Sequence, residues 1–173
     1  MTQAKCEFWD YSLTLYKREG VANHCLALQN DFNLDVNLVL FCVWFAQFSG
    51  KLPPALLAEA VGFSASWRET IVQPLRNVRS RMKNNQTLAA GLTAENYEEL
   101  RGKIKKVELQ AEKLQQDELQ RLARPHLGEA QEEHHGTMAL ANLNSLCEHL
   151  GIGNTNYPAS HLQALVSASN KLD

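Results

Sequence analysis

The chain has 173 residues, which is enough for one domain or for one domain with an appended segment. Apolar residues make up 45% of it, so the chain can bury a sizeable core, and wholesale disorder is not expected. The formal net charge of -2 argues against a strongly basic nucleic-acid-binding protein, although a local basic face is still compatible with it.

The cysteines and the N-terminal sequence indicate a reduced, cytoplasmic setting. Cys6, Cys25, Cys42 and Cys147 form neither a CxxC pair nor a cluster with histidines at zinc spacing. The N-terminus lacks the apolar segment of a signal peptide. The longest apolar stretch, 36–48, is shorter than the roughly 20 residues that span a bilayer. We therefore expect a cytoplasmic protein without a metal, a cofactor or a membrane segment.

Two short helices are predicted first, from Cys6 to Lys17 and from Val21 to Asn30, with Gly20 ending the connection between them. The apolar side chains expected to be buried follow helical spacing. They are Phe8, Trp9, Leu13 and Tyr16 on the first helix, and Val21, Cys25 and Leu28 on the second.

A central helix is predicted from Val36 to Phe48, because this segment is apolar nearly all round and too long for a typical strand. The carboxylate of Asp35 is placed to cap its N-terminus. A further short helix is expected from Pro54 to about Val61.

Gly62 is predicted to separate that short helix from the next one. The sequence Ser66-Trp67-Arg68-Glu69 matches a capping box, which would start the next helix. This helix should end near Lys83, and Pro74 should kink or divide it.

A long helix is predicted from about Ala94 to Ala123, after a polar linker that contains glycine. Its apolar residues alternate three and four apart over about two and a half heptads, which is typical of a coiled-coil seam. They are Tyr97, Leu100, Ile104, Val107, Ala111 and Leu114. The seam predicts a surface for another protein or for self-association.

Two more helices, from Met138 to Leu150 and from Ser160 to Leu172, are predicted after a polar break from Pro125 to Gly136. The predicted fold is therefore an all-α helical bundle around the apolar central helix. Residues 1–123 are predicted to form a helical domain, and 124–173 a C-terminal extension packed on the same domain.

The most suggestive local feature is basic. Between Ser66 and Lys83 the cations Arg68, Arg76, Arg79, Arg81 and Lys83 stand against one acid, Glu69. Arg76, Arg79 and Lys83 share a helix face that could bind phosphate groups or acidic protein. Nucleic acid is disfavoured, because no aromatic residues are interleaved. The alternative is a solvated face whose arginines pair with Asp31, Asp35 or Glu59.

Two motifs resemble metal-binding sequences but are incomplete. Asp31-x-x-x-Asp35 resembles the aspartate motif of isoprenoid synthases, but the second motif that those enzymes use is absent, so helix capping is the better explanation. Glu132-x-x-His135 matches the spacing of di-iron helix bundles, but its second half is also absent, and a solvated loop is expected there. A cysteine–histidine catalytic pair has no supporting local motif.

Several strings in the first two thirds of the chain form a fairly specific combination. They are Phe8–Leu13, Cys25–Gln29, Asp35–Trp44, and Trp67-Arg68 followed by Pro74–Arg76. This combination resembles a family of small proteobacterial proteins, domain of unknown function 2390, over roughly residues 6–110. The resemblance implies a helical fold in a bacterial cytoplasm and brings no assigned activity.

Three functional hypotheses follow. The first is a non-enzymatic protein–protein interaction or regulatory module that uses the Tyr97–Leu114 seam. The second is a small-ligand or anion-binding protein, with or without catalytic activity, built on a polar pocket near Asn37, Arg68 and Arg76. Its candidate residues are Asp35, Asn37, Trp44, Trp67, Arg68, Arg76 and Arg79. The third is weak nucleic-acid binding through the Arg76, Arg79 and Lys83 face.

Overall fold

The computed structural model describes residues 7–85, 87, 90–128, 134–153 and 156–170, and the regular structure of these ranges is entirely helical. The predicted all-α class is thus confirmed. The helices are α1 (Phe8–Tyr16), α2 (Val21–Asn30), α3 (Val36–Ser49), α4 (Pro54–Trp67), α5 (Gln73–Asn84), α6 (Ala94–Ala123), α7 (His135–His149) and α8 (Ala159–Ser169).

Helix α3 is the centre of the bundle, as its composition predicted. Every residue from Leu38 to Ala46 is buried, and α1, α2, α4, α6 and α7 all pack against this helix. Each large aliphatic or aromatic side chain buried there stabilises the fold by about 1.5–3 kcal/mol. The predicted cap is also present, since Oδ1 of Asp35 accepts a hydrogen bond from the backbone N–H of Asn37 at 2.9 Å.

The predicted buried residues agree with the structure on α2 but only partly on α1. On α2, Val21, Cys25 and Leu28 are buried as predicted. On α1 the prediction was partly wrong, because Leu13 and Tyr16 are each 39% exposed. The buried residues of α1 are Phe8, Tyr11, Ser12 and Leu15. Both faces of this helix carry apolar residues, so packing against α3, rather than hydrophobicity, decides which one turns inward.

Helix α4 is longer than predicted and continues through Gly62. The proposed capping box is wrong, because Ser66 lies inside the helix and its hydroxyl donates to the carbonyl of Gly62 at 3.3 Å. A π-helical turn, Arg68–Val72, then connects α4 to α5, and in it the Gln73 N–H donates to the carbonyl of Arg68. The wider turn comes directly before Pro74, which has no N–H to donate and cannot continue a regular helix without distortion.

Helices α7 and α8 pack against the N-terminal bundle, α7 on α3 and α8 on α2. His135 begins α7 and is buried, so the loop predicted for this residue is wrong; Glu132 lies outside the described residues. Asn142 fixes α7 to the end of α3, accepting from the Leu52 N–H at 2.8 Å and donating to the carbonyls of Cys42 and Gly50. The division of the chain near residue 123 stays a prediction.

Helix α5 and the first two thirds of α6 form an antiparallel pair, residues 73–114, that we call the arm. No residue of α5 is buried, whereas Leu119 and Ala123 near the end of α6 belong to the main hydrophobic core. At the far end of the arm, Tyr97 joins α6 to α5, because its hydroxyl donates to the carbonyl of Met82 at 3.1 Å. The arm is therefore held together by few apolar contacts.

Candidate functional site

From its midpoint onward, the side of α6 that faces the rest of the protein carries polar side chains beside the buried Ala111, Leu119 and Ala123. These polar side chains recur at helical spacing, and all except the half-buried Glu112 are buried. They are Glu108, Glu112, Gln115, Gln116 and Gln120, and we call them the inner polar face. Burying polar groups is unfavourable unless they are hydrogen-bonded, so their partners determine how α6 is held.

Arg76 and Arg79 of α5 bind the N-terminal part of this face. Arg76 donates through Nε to Glu108 Oε1 at 3.2 Å and through Nη2 to Glu112 Oε1 at 2.7 Å. Arg79 donates through Nη2 to Glu108 Oε1 at 3.1 Å and through Nε to Glu108 Oε2. Burial alone would raise the pKa of Glu108, but the hydrogen bonds and charges of Arg79 and Arg76 outweigh it and hold that pKa below its ordinary value.

Asp35 and Asn37 bind the middle of the inner polar face. Gln115 donates through Nε2 to Asp35 Oδ2 at 2.7 Å, and Asn37 donates through Nδ2 to Gln115 Oε1 at 2.8 Å. Gln116 donates through Nε2 to Asn37 Oδ1, also at 2.8 Å. Burial raises the pKa of the Asp35 carboxyl, although the Gln115 hydrogen bond opposes the rise. This chain of hydrogen bonds fixes the N-terminus of α3 on α6.

The remaining predicted site residues lie elsewhere. Trp44 is buried in the core. Trp67 donates through Nε1 to the carbonyl of Ala111 at 3.0 Å, which joins the end of α4 to α6. Arg68 donates to the carbonyl and to Oδ1 of Asn33 at 3.1 and 2.7 Å, and thereby holds a residue with a left-handed φ of 53°.

The structure therefore brings together Asp35 with Asn37 and Arg76 with Arg79. It leaves Trp44, Trp67 and Arg68 apart, each with its own surroundings. The expected acidic partners of Arg76 and Arg79 were wrong, since Glu108 and Glu112 take that place. An external anion would have to displace these two carboxylates. Of the predicted basic face, Lys83 is exposed, whereas Arg76 and Arg79 are partly buried. A ligand-binding role for these residues stays a prediction.

Sequence reasoning missed the inner polar face, although its pattern was visible. Glu108, Glu112, Gln115 and Gln116 recur four and three or four residues apart, which places them on one side of a helix. The predicted seam runs beside them, one position earlier in the chain. The prediction followed the apolar seam as a surface for a partner, because burying apolar side chains is the usual source of helix docking.

Half of the predicted seam is exposed to solvent. Leu100, Val107 and Leu114 repeat every seven residues and are 52%, 49% and 49% exposed, whereas Tyr97 and Ala111 are buried. Residues seven apart lie within about 20° of each other around a helix, so the three exposed side chains form one stripe. Between Glu108 and Gln116, α6 thus places carboxylate and amide groups inside, while part of its apolar seam is exposed.

Helix α5 contributes a matching stripe. Leu75 and Val78 each precede an inward-pointing arginine by one position, as Val107 precedes Glu108, and one residue corresponds to about 100° of rotation. Because α5 and α6 run antiparallel, the same rotation places both stripes on one side of the arm. This apolar face of the arm comprises Leu75, Val78 and Met82 on α5, and Leu100 and Val107 on α6. Val78 is 47% exposed.

None of the helices in the described ranges is long and apolar enough to cross a membrane. No curated protein and no solved structure matches the chain. The sequence profile of one family, described as "Protein of unknown function (DUF2390)", matches residues 7–119. The matched range includes α1 to α5 and α6 as far as Leu119, hence the whole arm and all of the inner polar face except Gln120. The chain belongs to this family.

Proposed function

We propose that this chain is a non-enzymatic protein–protein interaction module of a bacterial cytoplasm, and that its docking surface is the apolar face of the arm. The observation that carries the proposal is the orientation of α6. Glu108 and Glu112 face inward and bind Arg76 and Arg79, while the aliphatic side chains of Leu100 and Val107 are left in water. A partner that covers these side chains would remove that unfavourable exposure.

Exposed leucines also occur elsewhere in the protein, so exposure alone does not distinguish the arm. Leu13, Leu26 and Leu150 are also 39–48% exposed, and single exposed apolar residues are normal on any protein. The arm differs because its aliphatic residues share one side of two adjacent helices and repeat at heptad spacing. Such a pair of helices offers a groove that a third helix can fill.

In the described part of the chain, two arginines and three cysteines that could serve an enzyme are engaged or shielded. Arg76 and Arg79 are neutralised by Glu108 and Glu112. Cys25, Cys42 and Cys147 are free thiols, all buried, and burial raises the pKa of each, so that the reactive thiolate is disfavoured. Free thiols also fit the proposed reducing compartment.

Site-specific photo-cross-linking in cells tests this function. A photoreactive amino acid is placed at Gln110, beside the apolar face, and in a second strain at Asn23 on α2; both positions are exposed. We expect discrete cross-linked protein products from position 110 only. They should disappear in Leu100→Ser/Val107→Ser and persist in the control Leu13→Ser/Leu26→Ser.

The two double variants remove similar exposed aliphatic area, so the control accounts for general loss of hydrophobicity. Circular dichroism of each purified variant establishes that it is folded. If position 110 yields no discrete product, or if its products survive Leu100→Ser/Val107→Ser, the arm is not the docking surface.

A further inference from the structure

The charge around the apolar face indicates which kind of partner fits it. Residues 73–114 contain nine lysines and arginines against five glutamates, although the whole chain has a net charge of -2. Two of those glutamates, Glu108 and Glu112, are used internally by Arg76 and Arg79. The outer surface of the arm is therefore distinctly basic.

Several of the outer cations have no carboxylate partner. In the described part of the chain, Arg81, Lys83, Lys105 and Lys106 are exposed and form no ion pair, while Lys103 pairs with Glu99 at 2.6 Å. By helical rotation, Arg81 on α5 and Lys103 on α6 lie nearest to the apolar face, one along each edge. The face is thus an aliphatic strip with a cation on both sides, an unpaired Arg81 along one edge and Lys103, which shares its charge with Glu99, along the other.

On this basis we propose that the occupant of the apolar face is an amphipathic helix of another protein, with aspartate or glutamate flanking its apolar stripe. The proposal rests on the function proposed above. An acidic helix buries its apolar residues against Leu75, Val78, Leu100 and Val107 and places its carboxylates beside Arg81 and Lys103. Complementary charges along an apolar seam select the partner and speed association.

A second copy of the chain fits less well. Two arms meeting face to face would bring Arg81 and Lys103 of one copy against the same cations of the other, and like charges oppose such pairing. An anionic membrane would also satisfy the cations, but a helix that binds a membrane surface does so as a single helix lying in the interface. The apolar face is instead shared by two adjacent helices, whose aliphatic and thioether side chains can pack around a third helix.

Binding of designed peptides to the full-length protein tests the proposal. The probes are fluorescein-labelled amphipathic helices with one leucine stripe flanked by glutamate, by lysine, or by glutamate with the leucines replaced by serine. We expect the first peptide to bind at least about tenfold more tightly than either of the others at low ionic strength. The advantage over the lysine peptide should shrink as salt screens the charges.

Charge reversal of the protein supplies the decisive comparison. Arg81→Glu/Lys103→Glu should invert the preference between the acidic and basic peptides. Lys83→Glu/Lys105→Glu, which changes the charge equally but lies off the apolar face, should preserve it. Equal binding of both peptides, or an unchanged preference in Arg81→Glu/Lys103→Glu, would overturn the proposal.

Two further measurements identify the competing occupants. A concentration-dependent dimer in sedimentation velocity that loosens with Leu100→Ser/Val107→Ser would identify a second copy and overturn the proposal. So would tight, Leu100-dependent binding to anionic phosphatidylglycerol vesicles without peptide binding. Cross-linking at Gln110 that persists when the acidic peptide fails would mean that the interaction function stands and only the partner chemistry is wrong.

Discussion

Substitution of Glu108 by glutamine should destabilise the contact between α5 and α6 far more than an ordinary surface change. Glu108 is 6% exposed, and its carboxylate accepts hydrogen bonds from both Arg76 and Arg79. Glutamine keeps the size of the side chain but removes the charge, and its amide N–H groups would face the guanidinium N–H groups.

The size of the effect follows from the geometry. Removing one partner of a fully buried ion pair costs about 3–5 kcal/mol, whereas an exposed pair contributes about 0–1 kcal/mol. The side chains of Arg76 and Arg79 are 17% and 27% exposed, so both can regain some solvent after the substitution. Glu112 also remains as an acceptor for Arg76. We therefore expect a loss of about 2–3 kcal/mol.

Two measurements determine this loss. One is hydrogen exchange at the backbone amides of α5 and α6 in the native protein, and the other is urea unfolding followed by circular dichroism. Glu99→Gln is the matched control, because Glu99 lies on the same helix and pairs with Lys103 in solvent. The control should lose less than about 0.5 kcal/mol. If Glu108→Gln costs no more than Glu99→Gln, the inner ion pairs are screened like surface pairs and the reasoning fails.

Three further outcomes are expected. The pKa of Glu108 is lowered in the folded state, so its ionised carboxylate contributes to the free energy of unfolding at neutral pH, and this contribution is lost as the pH falls through that pKa. The stability advantage of wild type over Glu108→Gln should therefore vanish in acid titrations. Asn142→Ala leaves the Leu52 N–H without its acceptor and should lower Tm by about 5–10 °C in calorimetry. In Cys6→Ser, the remaining thiols should be unreactive towards an aromatic disulfide until urea unfolds the chain, since burial raises the pKa of Cys25 to about 12 and that of Cys147 to about 11.

Most helix boundaries could be read from the sequence, because local interactions set them. The Asp35 cap and the apolar run after it locate α3, and the start and end of α6 were predicted at Ala94 and Ala123. Gly62 misled the prediction of α4, because glycine costs only about 1 kcal/mol within a helix that packing stabilises.

The orientation of α6 could not be read from the sequence, because it depends on partners distant in the chain. Apolar and polar stripes run side by side on this helix, and either could face inward. The outcome depends on Arg76 and Arg79 reaching Glu108, and on Asp35 and Asn37 reaching the glutamines. No local pattern encodes these contacts, whose members lie about 30 to 80 residues apart.

A multiple replacement can test whether the inner polar face sets the orientation of α6 rather than the stability of the protein. Replacing Arg76, Arg79 and Glu108 together by leucine, in a Glu112→Gln background that leaves no unpaired carboxylate, removes a desolvated charge cluster. Such replacements are often neutral or stabilising by about 1–4 kcal/mol. The global free energy of unfolding should therefore be kept or raised.

The same triple variant should nevertheless impair docking. With aliphatic residues on both sides, this part of α6 loses the ion pairs that fix its rotation against α5, and the stripe of Leu100 and Val107 can turn inward. Cross-linking from Gln110 and binding of the acidic peptide should then weaken while the thermal midpoint does not fall. If both functions survive in the triple variant, the charge cluster does not set the orientation of α6. If stability collapses with them, the cluster is a source of stability, and the exposed stripe is only a consequence of how the fold is held together.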